Sequence, residues 1–305
     1  MSNIPILIFS YIRLNELKLT IESLLNNKDI DKYYIFIFND YVKNLDDKNK
    51  MIQVRRYIEN LEKEKKFKNL KIIFREENYG LAKNIIEGVT EIINIYGKVI
   101  VLEDDLILSN NFLCYMKKAL NHYEDDENIF SISGYTMPLK RLENYEYDSY
   151  LALRPSSWGW ATWKDRWNKV DWDVSDFNNF IKNRDNIKAF NKGGVDLSRM
   201  LKHYMKGKNN SWAIRWAYGM FKNGQYCVYP KISKVQNIGF GLNATHCKGI
   251  NIYKTKLDNT NKCNFRFVKN LIDEQILKEF KYQYSYQNKL IKRIKYYFGK
   301  FFNED

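Results

Sequence analysis

The first 135 residues alternate between two periods, and that alternation constrains the fold more than any other feature of the chain. "IPILIFSY" (4–11) is a continuous apolar run, after which Leu14, Leu17, Ile21, Leu24 and Leu25 recur at helical spacing. "YYIFIFND" (33–40) repeats the apolar run, followed by a polar helix over about 46–65, the strand "KIIFRE" (71–76), the helix "GLAKNIIEGVTEIINIY" (80–96) and the strand "KVIVLED" (98–104). A helix entered through the cap Ser109 and the strand "IFSISGY" (129–135) complete the series. Strands apolar on both faces need a cover on both sides, so the pattern predicts an α/β fold with a largely parallel sheet between helices.

Ligands of such sheets bind outside the carboxyl ends of the strands. Those ends fall at Ser10 and Tyr11, at Asn39 and Asp40, at Glu76, and at the acidic triplet Glu103, Asp104 and Asp105. If the strand alternation continues through the triplet, Glu103 and Asp105 face one side and Asp104 the other. Two carboxylates in one crevice repel each other unless a cation lies between them.

The rest is less regular and more aromatic: residues 156–173 hold five of the seven Trp, and "SWAIRWAY" holds the other two. Aromatic faces suit sugar rings, yet most of these side chains are expected in the core, with Trp160 and Trp212 the two placed near a sugar. We divide the chain into 1–135, an acceptor-side part of the same domain over 136–275, and a tail over 276–305. Between 278 and 300 the tail carries seven Lys or Arg against one Glu, and Leu290, Ile294, Tyr297, Phe298 and Phe301 recur at helical spacing. Residues 288–302 are therefore expected to lie on an anionic membrane or to dock on their own domain.

The net charge of +14 suits an anionic partner, but outside the tail the basic residues are scattered and no nucleic-acid recognition motif is present. Four Cys without a CxxC pair, together with three His, leave little for a structural zinc site and are expected as reduced thiols. No segment approaches the ~20 apolar residues that span a bilayer. We expect a cytoplasmic protein at the inner face of the membrane.

The ordered motifs "SYIR", "FND", "ENYGLAKN", "VIVLEDDLILSNNFLCYM", "ISGY", "WGWATW", "SWAIRW" and "NIGFGLNATH" span most of residues 4–247. In that order the chain resembles the GT-A glycosyltransferases, above all N-acetylglucosaminyltransferase I and the bacterial transferases related to it. The resemblance implies a metal-dependent inverting transfer from a UDP-sugar to a glycan or lipid-linked acceptor, in surface polysaccharide or lipooligosaccharide synthesis. It implies Asp105 as ligand of Mn2+ or Mg2+, with Glu103 and Asp104 holding the metal's waters and the donor's ribose or sugar. Ser10 and Tyr11 close the first strand at the nucleotide, Arg13 and Asp40 match contacts to the uracil, Gly80 brings backbone near the nucleotide and Asn84 faces the crevice. His246 lies in the loop that closes over the donor.

One position departs from the resemblance. Inverting transfer needs a base to take the acceptor hydroxyl proton, and the expected Asp after the Trp of "SWAIRW" is Ala213. The chain is then either a variant lacking its base or an enzyme using another acid, with Asp196 and Asp173 nearest. A non-catalytic nucleotide-sugar or glycan-binding module and a nucleic-acid-binding protein are the rival readings.

Overall fold

The computed structural model describes residues 4–240, 251–269 and 272–301. The amino-terminal part builds β1 (Pro5–Ser10), α1 (Leu14–Leu25), β2 (Tyr34–Asn39), α2 (Lys48–Lys63), β3 (Leu70–Phe74), α3 (Gly80–Tyr96) and β4 (Lys98–Glu103). Next come β5 (Leu106–Leu108), α4 (Phe112–His122), β6 (Ile129–Ser133), β7 (Ser149–Ala152), β8 (Trp160–Trp163) and the short helices α5 (Lys164–Trp167), α6 (Phe177–Phe180) and α7 (Arg184–Phe190). The chain continues through α8 (Leu197–Met205), α9 (Trp212–Lys222), β9 (Tyr226–Pro230), β10 (Val235–Asn237), α10 (Glu274–Gln283) and α11 (Tyr286–Phe301).

The molecule is a mixed α/β protein whose large sheet has the order β3-β2-β1-β4-β8-β6-β9-β7, flanked by helices. The pairs β3–β2, β2–β1, β1–β4 and β6–β9 are parallel. β8 runs antiparallel between β4 and β6, and β7 runs antiparallel to β9 at the edge. β1, β2 and β4 are buried nearly end to end because helices cover both faces, which explains their unbroken apolar runs. Phe9 and Phe38 stack on the sheet at 4.9 Å. Gly88 lets α3 lie directly on them, since a Cβ there would come within 2.9 Å of Phe9 and 3.1 Å of Phe38.

The strand order places a topological switch between β1 and β4: the chain leaves β1 toward β2 and β3, then returns to the other side of β1 as β4. A crevice opens at the carboxyl ends of two such strands. Here those ends are Ser10 and Glu103, with Phe9 paired to Glu103 in register. β5 and β10 form a small antiparallel ladder beyond this crevice. One face of α1 holds the ladder in place, with Thr20 Oγ1 accepting from Leu106 N–H at 3.1 Å and Ser23 Oγ accepting from Leu108 N–H at 3.1 Å, and just beyond the helix Asn27 donates to the Ser109 carbonyl at 3.1 Å.

Three expectations need correction. Asn111, not Ser109, stands at the α4 N-cap position; Ser109 shapes the preceding turn by accepting from Phe112 N–H at 3.1 Å. The strand predicted over 98–104 stops at Glu103 and is followed by β5, so alternation does not extend through the acidic triplet. Cys114 and Cys263 are joined as a disulfide instead of standing as reduced thiols, and Cys227 is free and buried. That link lies where the segment before α10 runs along α4, with Tyr115 and Phe265 edge to face at 5.3 Å.

The aromatic half resolves into two cores. Trp160, Trp167, Trp212 and Trp216 form one cluster within the main core, Trp160 lying 4.3 Å from Trp216 and 5.6 Å from Trp167. Phe180, Phe190, Leu201 and Tyr218 belong to a separate helical core built by α6 to α9.

Candidate active site

The β1–α1 loop and the turn after β4 meet at the switch point. Asp104 and Asp105 are 3% and 6% exposed, so their charge must be balanced from within the protein. Arg13, the residue before α1, supplies the cation: Nη2 donates to Asp104 Oδ1, and Nη1 stands 3.0 Å from Asp105 Oδ2. The remaining two oxygens also have donors. Tyr11 N–H reaches Asp104 Oδ2 at 3.0 Å, and Asn237 Nδ2, from the end of β10, reaches Asp105 Oδ1 at 3.2 Å. The Asp105 carbonyl accepts from Ile238 N–H at 2.8 Å, fastening the ladder to the turn.

Gly239 closes the cluster from above. A Cβ at this position would fall 1.9 Å from Asp105 Oδ2 and 2.8 Å from Arg13 Nη1, so only glycine permits this approach.

The electrostatics follow from the packing. Burial, with Asp105 and Asp104 adding to it, pushes the Glu103 carboxyl up to about 8. Burial also raises Asp104, to about 6, against the pull of Arg13. Asp105 is raised by burial as well, with Arg13 opposing. For Arg13, burial disfavours the charge, but Asp104 and Asp105 outweigh it and hold the guanidinium protonated. Among the described residues Glu103 has no hydrogen-bond or ion-pair partner.

The metal implied by the resemblance can be tested against these side chains. Mn2+ or Mg2+ takes oxygen ligands in a first shell of about six. Here all four oxygens of Asp104 and Asp105 are engaged by protein donors, and Gly239 occupies the approach. Among the described residues no group of three His, Cys, Asp or Glu converges on an ion site. As arranged, Asp105 does not offer the expected metal ligand. Arg13, placed by the sequence at the uracil, is instead the cation between the acids.

The neighbouring residues are also built into the fold. Asp40 accepts from the N–H groups of Tyr79 at 2.9 Å and Gly80 at 2.8 Å and from Asn78 Nδ2 at 3.3 Å, so it caps the start of α3. Gly80 holds φ +69 at that start, with nothing within 4 Å of where a Cβ would stand. Ser10 Oγ donates to the Phe38 carbonyl at 3.3 Å and accepts from Asn39 at 3.1 Å, tying β1 to β2 instead of reaching the crevice. Tyr11 OH accepts from Lys43 N–H at 3.0 Å. Asn84, 3% exposed, accepts from Arg75 Nε at 2.9 Å.

Two arginines went unnoticed in the sequence. Arg55 donates to Asn39 Oδ1 at 3.0 Å and to the Arg75 carbonyl at 2.6 Å. Arg75 lies 4.5 Å from the centre of the Tyr79 ring, and its buried Nη2 has no hydrogen-bond partner among the described residues. β3 ends at Phe74 and Arg75 follows it directly, one residue before the end Glu76 read from "KIIFRE", so the rule of strand ends pointed beside it.

Trp160 and Trp212, expected near a sugar, are 0% and 3% exposed and pack among other Trp rings. Ala213 is partly buried in the first turn of α9, whose cap Ser211 accepts from Ile214 N–H at 3.4 Å. Of the acids considered as its substitute, Asp196 is held by Arg154 at 2.7 Å and Lys289 at 3.2 Å; burial raises its pKa, yet these two cations outweigh burial and hold it below the ordinary carboxylate value. Asp173 is exposed and lines an open cavity of about 560 Å³ with Tyr204, Lys208 and Asn210, next to the α9 cap. His246 lies outside the described residues.

No family model and no curated protein matches the chain. Among solved structures it is similar to S. aureus TarS 1–349 in complex with UDP-GlcNAc, at 10% identity and TM-score 0.43, over 76% of this chain and 57% of that one. It is also similar to the mannosyltransferase PcManGT from Pyrobaculum calidifontis in complex with GDP-Man and Mn2+, at 11% identity and TM-score 0.40, over 72% and 69%. A third likeness is to the galactosyltransferase LgtC in complex with donor and acceptor sugar analogs, at 10% identity and TM-score 0.38, over 74% and 73%. The chain spans less than two thirds of the TarS fragment. At these identities the comparisons transfer no residue role, and the resemblance to N-acetylglucosaminyltransferase I stays with the sequence motifs.

Proposed function

We propose that the chain binds a UDP-sugar at the β1–β4 switch point and transfers the sugar, with inversion, to a glycan or lipid-linked acceptor of a bacterial surface polysaccharide or lipooligosaccharide. The observation that carries this reading is the cluster of Arg13, Asp104 and Asp105 at the place where an α/β sheet opens its crevice. Carboxylate oxygens retain lone pairs after one hydrogen bond each, and the guanidinium has N–H groups to spare. With Gly239 drawn back from Asp105, the cluster suits the hydroxyls of a ribose or hexose. Arg75, with an unpartnered nitrogen at the end of β3, is suited to an acceptor atom of the nucleotide. A panel of UDP-sugars tested for thermal stabilisation checks the reading, since a ligand at 100 times its dissociation constant adds about 2.7 kcal/mol. No stabilisation by any UDP-sugar defeats it.

Ala213 favours a second reading, a nucleotide-sugar-binding module without catalysis. A methyl group takes no proton, and Asp196 is committed to two cations. Ala213→Asp separates the two readings. A base restored at that position raises transfer by the ~10²- to 10⁴-fold typical of general base catalysis, whereas a binding module shows no transfer before or after the change.

A further inference from the structure

The carboxyl-terminal helix is docked the wrong way round for a helix that completes a core. Among the described residues, Asn288, Lys289 and Lys292 hold it to the protein by polar contacts. Asn288, 8% exposed, donates to the Gln283 carbonyl at 3.2 Å and to Gln283 Oε1 at 3.1 Å. Lys289 Nζ stands 3.2 Å from Asp196 Oδ2, and Lys292 Nζ donates to Gln283 Oε1 at 2.8 Å. At about 100° per residue these three positions share one face of α11.

Tyr286, Leu290, Ile291 and Ile294 fall on the opposite face, and they are 77%, 46%, 43% and 45% exposed. Arg293 and Lys295, both exposed, border that apolar arc on its two sides. An apolar stripe turned to solvent between two cationic edges is the pattern of a helix lying in the plane of a lipid interface. A helix that packed its apolar face on its own domain would show the reverse burial. A second copy of the chain is the weaker occupant, because two such faces would bring Arg293 and Lys295 of both copies together.

We propose that the outward face of α11 docks on an anionic lipid surface, with Leu290, Ile291 and Ile294 in the interface and Arg293 and Lys295 against the headgroups. The polar docking through Asn288, Lys289 and Lys292 keeps this face turned away from the body, with Lys289 linking the helix to Asp196. The inference is independent of the nucleotide reading and concerns a different surface. No helix among the described residues is long and apolar enough to cross a membrane, so the contact is peripheral.

The test is sedimentation of the full chain with phosphatidylglycerol vesicles and, separately, with phosphatidylcholine vesicles. Two double variants are compared, Leu290→Glu with Ile294→Glu and Arg293→Glu with Lys295→Glu. All four side chains are exposed, and a thermal melt checks that each variant keeps its fold. The wild type is expected to bind the anionic vesicles at least ~10-fold more tightly than the zwitterionic ones, and each variant to lose ~10-fold or more. Equal binding to both vesicles, or unchanged binding of both variants, overturns the proposal. So does a wild-type dimer in sedimentation velocity that Leu290→Glu with Ile294→Glu dissolves, without any vesicle binding. UDP binding by the same variants, measured alongside, is expected to stay unchanged and distinguishes failure of this inference from failure of the nucleotide site.

Discussion

Arg13 reaches Asp105 at 3.0 Å across the gap between the β1–α1 loop and the turn after β4, while its other terminal nitrogen holds Asp104. One guanidinium thus separates two buried carboxylates at the crevice where the sheet opens. Removing it leaves like charges facing each other.

Arg13→Ala is therefore expected to cost about 3–5 kcal/mol, the scale for breaking a largely buried ion pair. Denaturant unfolding with and without millimolar Mn2+ checks the cause. The variant regains part of its stability with Mn2+, because its vacated carboxylates accept a divalent ion, and the wild type does not respond. An equal response from both proteins contradicts the assignment of Arg13 as resident cation.

Glu103 gives a pH dependence with a defined sign. Its ordinary value is 4.5, and in the folded protein burial and its acidic neighbours raise it to about 8. Between those values the native state holds a proton that the unfolded chain has released, so stability falls as pH rises through this window. Glu103→Gln abolishes that loss. Its stability relative to wild type should be flat below pH 4.5 and grow up to pH 8, as read from unfolding curves in a pH series. A difference that stays constant with pH contradicts the half-buried placement of Glu103 beside Asp104 and Asp105.

Trp160→Ala should act on stability, with a loss of about 3–5 kcal/mol for emptying a fully buried aromatic site. Its indole N–H has no partner among the described residues, so Trp160→Phe is expected to cost much less. Calorimetric melting compares the two. A tenfold loss of UDP-sugar affinity in a folded Trp160→Phe protein would return this ring to the sugar site.

Gly88→Ala sets two effects against each other. Alanine gains about 1 kcal/mol of helix propensity, but the new methyl would sit 2.9 Å from Phe9 and 3.1 Å from Phe38. Overpacking of this kind costs about 1–3 kcal/mol, so a net loss of stability is expected in denaturant unfolding. A gain would mean that α3 can lift from the sheet.

The parallel part of the fold was legible because buried strands are apolar on both faces and helices carry a clear period. α3 begins and ends where the pattern places it, with Gly80 and Gly97 both at positive φ at its ends. The short strands β5, β7, β8, β9 and β10 were not read. They run three to five residues, too few to establish a period, and β8 is largely Trp, which the sequence reading divided between core and sugar. The candidate cluster was legible in position, since the rule of strand ends points to Glu103, Asp104 and Asp105. Its wiring was not. The need for a cation between acids was evident, but Arg13 and Asp104 are 91 positions apart, and only the tertiary fold brings them together. Asp40 was placed at the base of a nucleotide, while the fold uses its oxygens to cap a helix 40 residues further on.

We infer that the cluster of Arg13, Asp104 and Asp105 forms the nucleotide-sugar site. A calorimetric titration of UDP into the wild type and into Asp105→Asn, which keeps the side chain's shape, tests it directly. Run once with Mn2+ and once with EDTA, it should show saturable one-to-one binding to the wild type and a loss of at least ~10-fold in the variant, the scale of a charge-assisted hydrogen bond. Absence of saturable binding to the wild type under both conditions, or equal affinity of the two proteins, would contradict it.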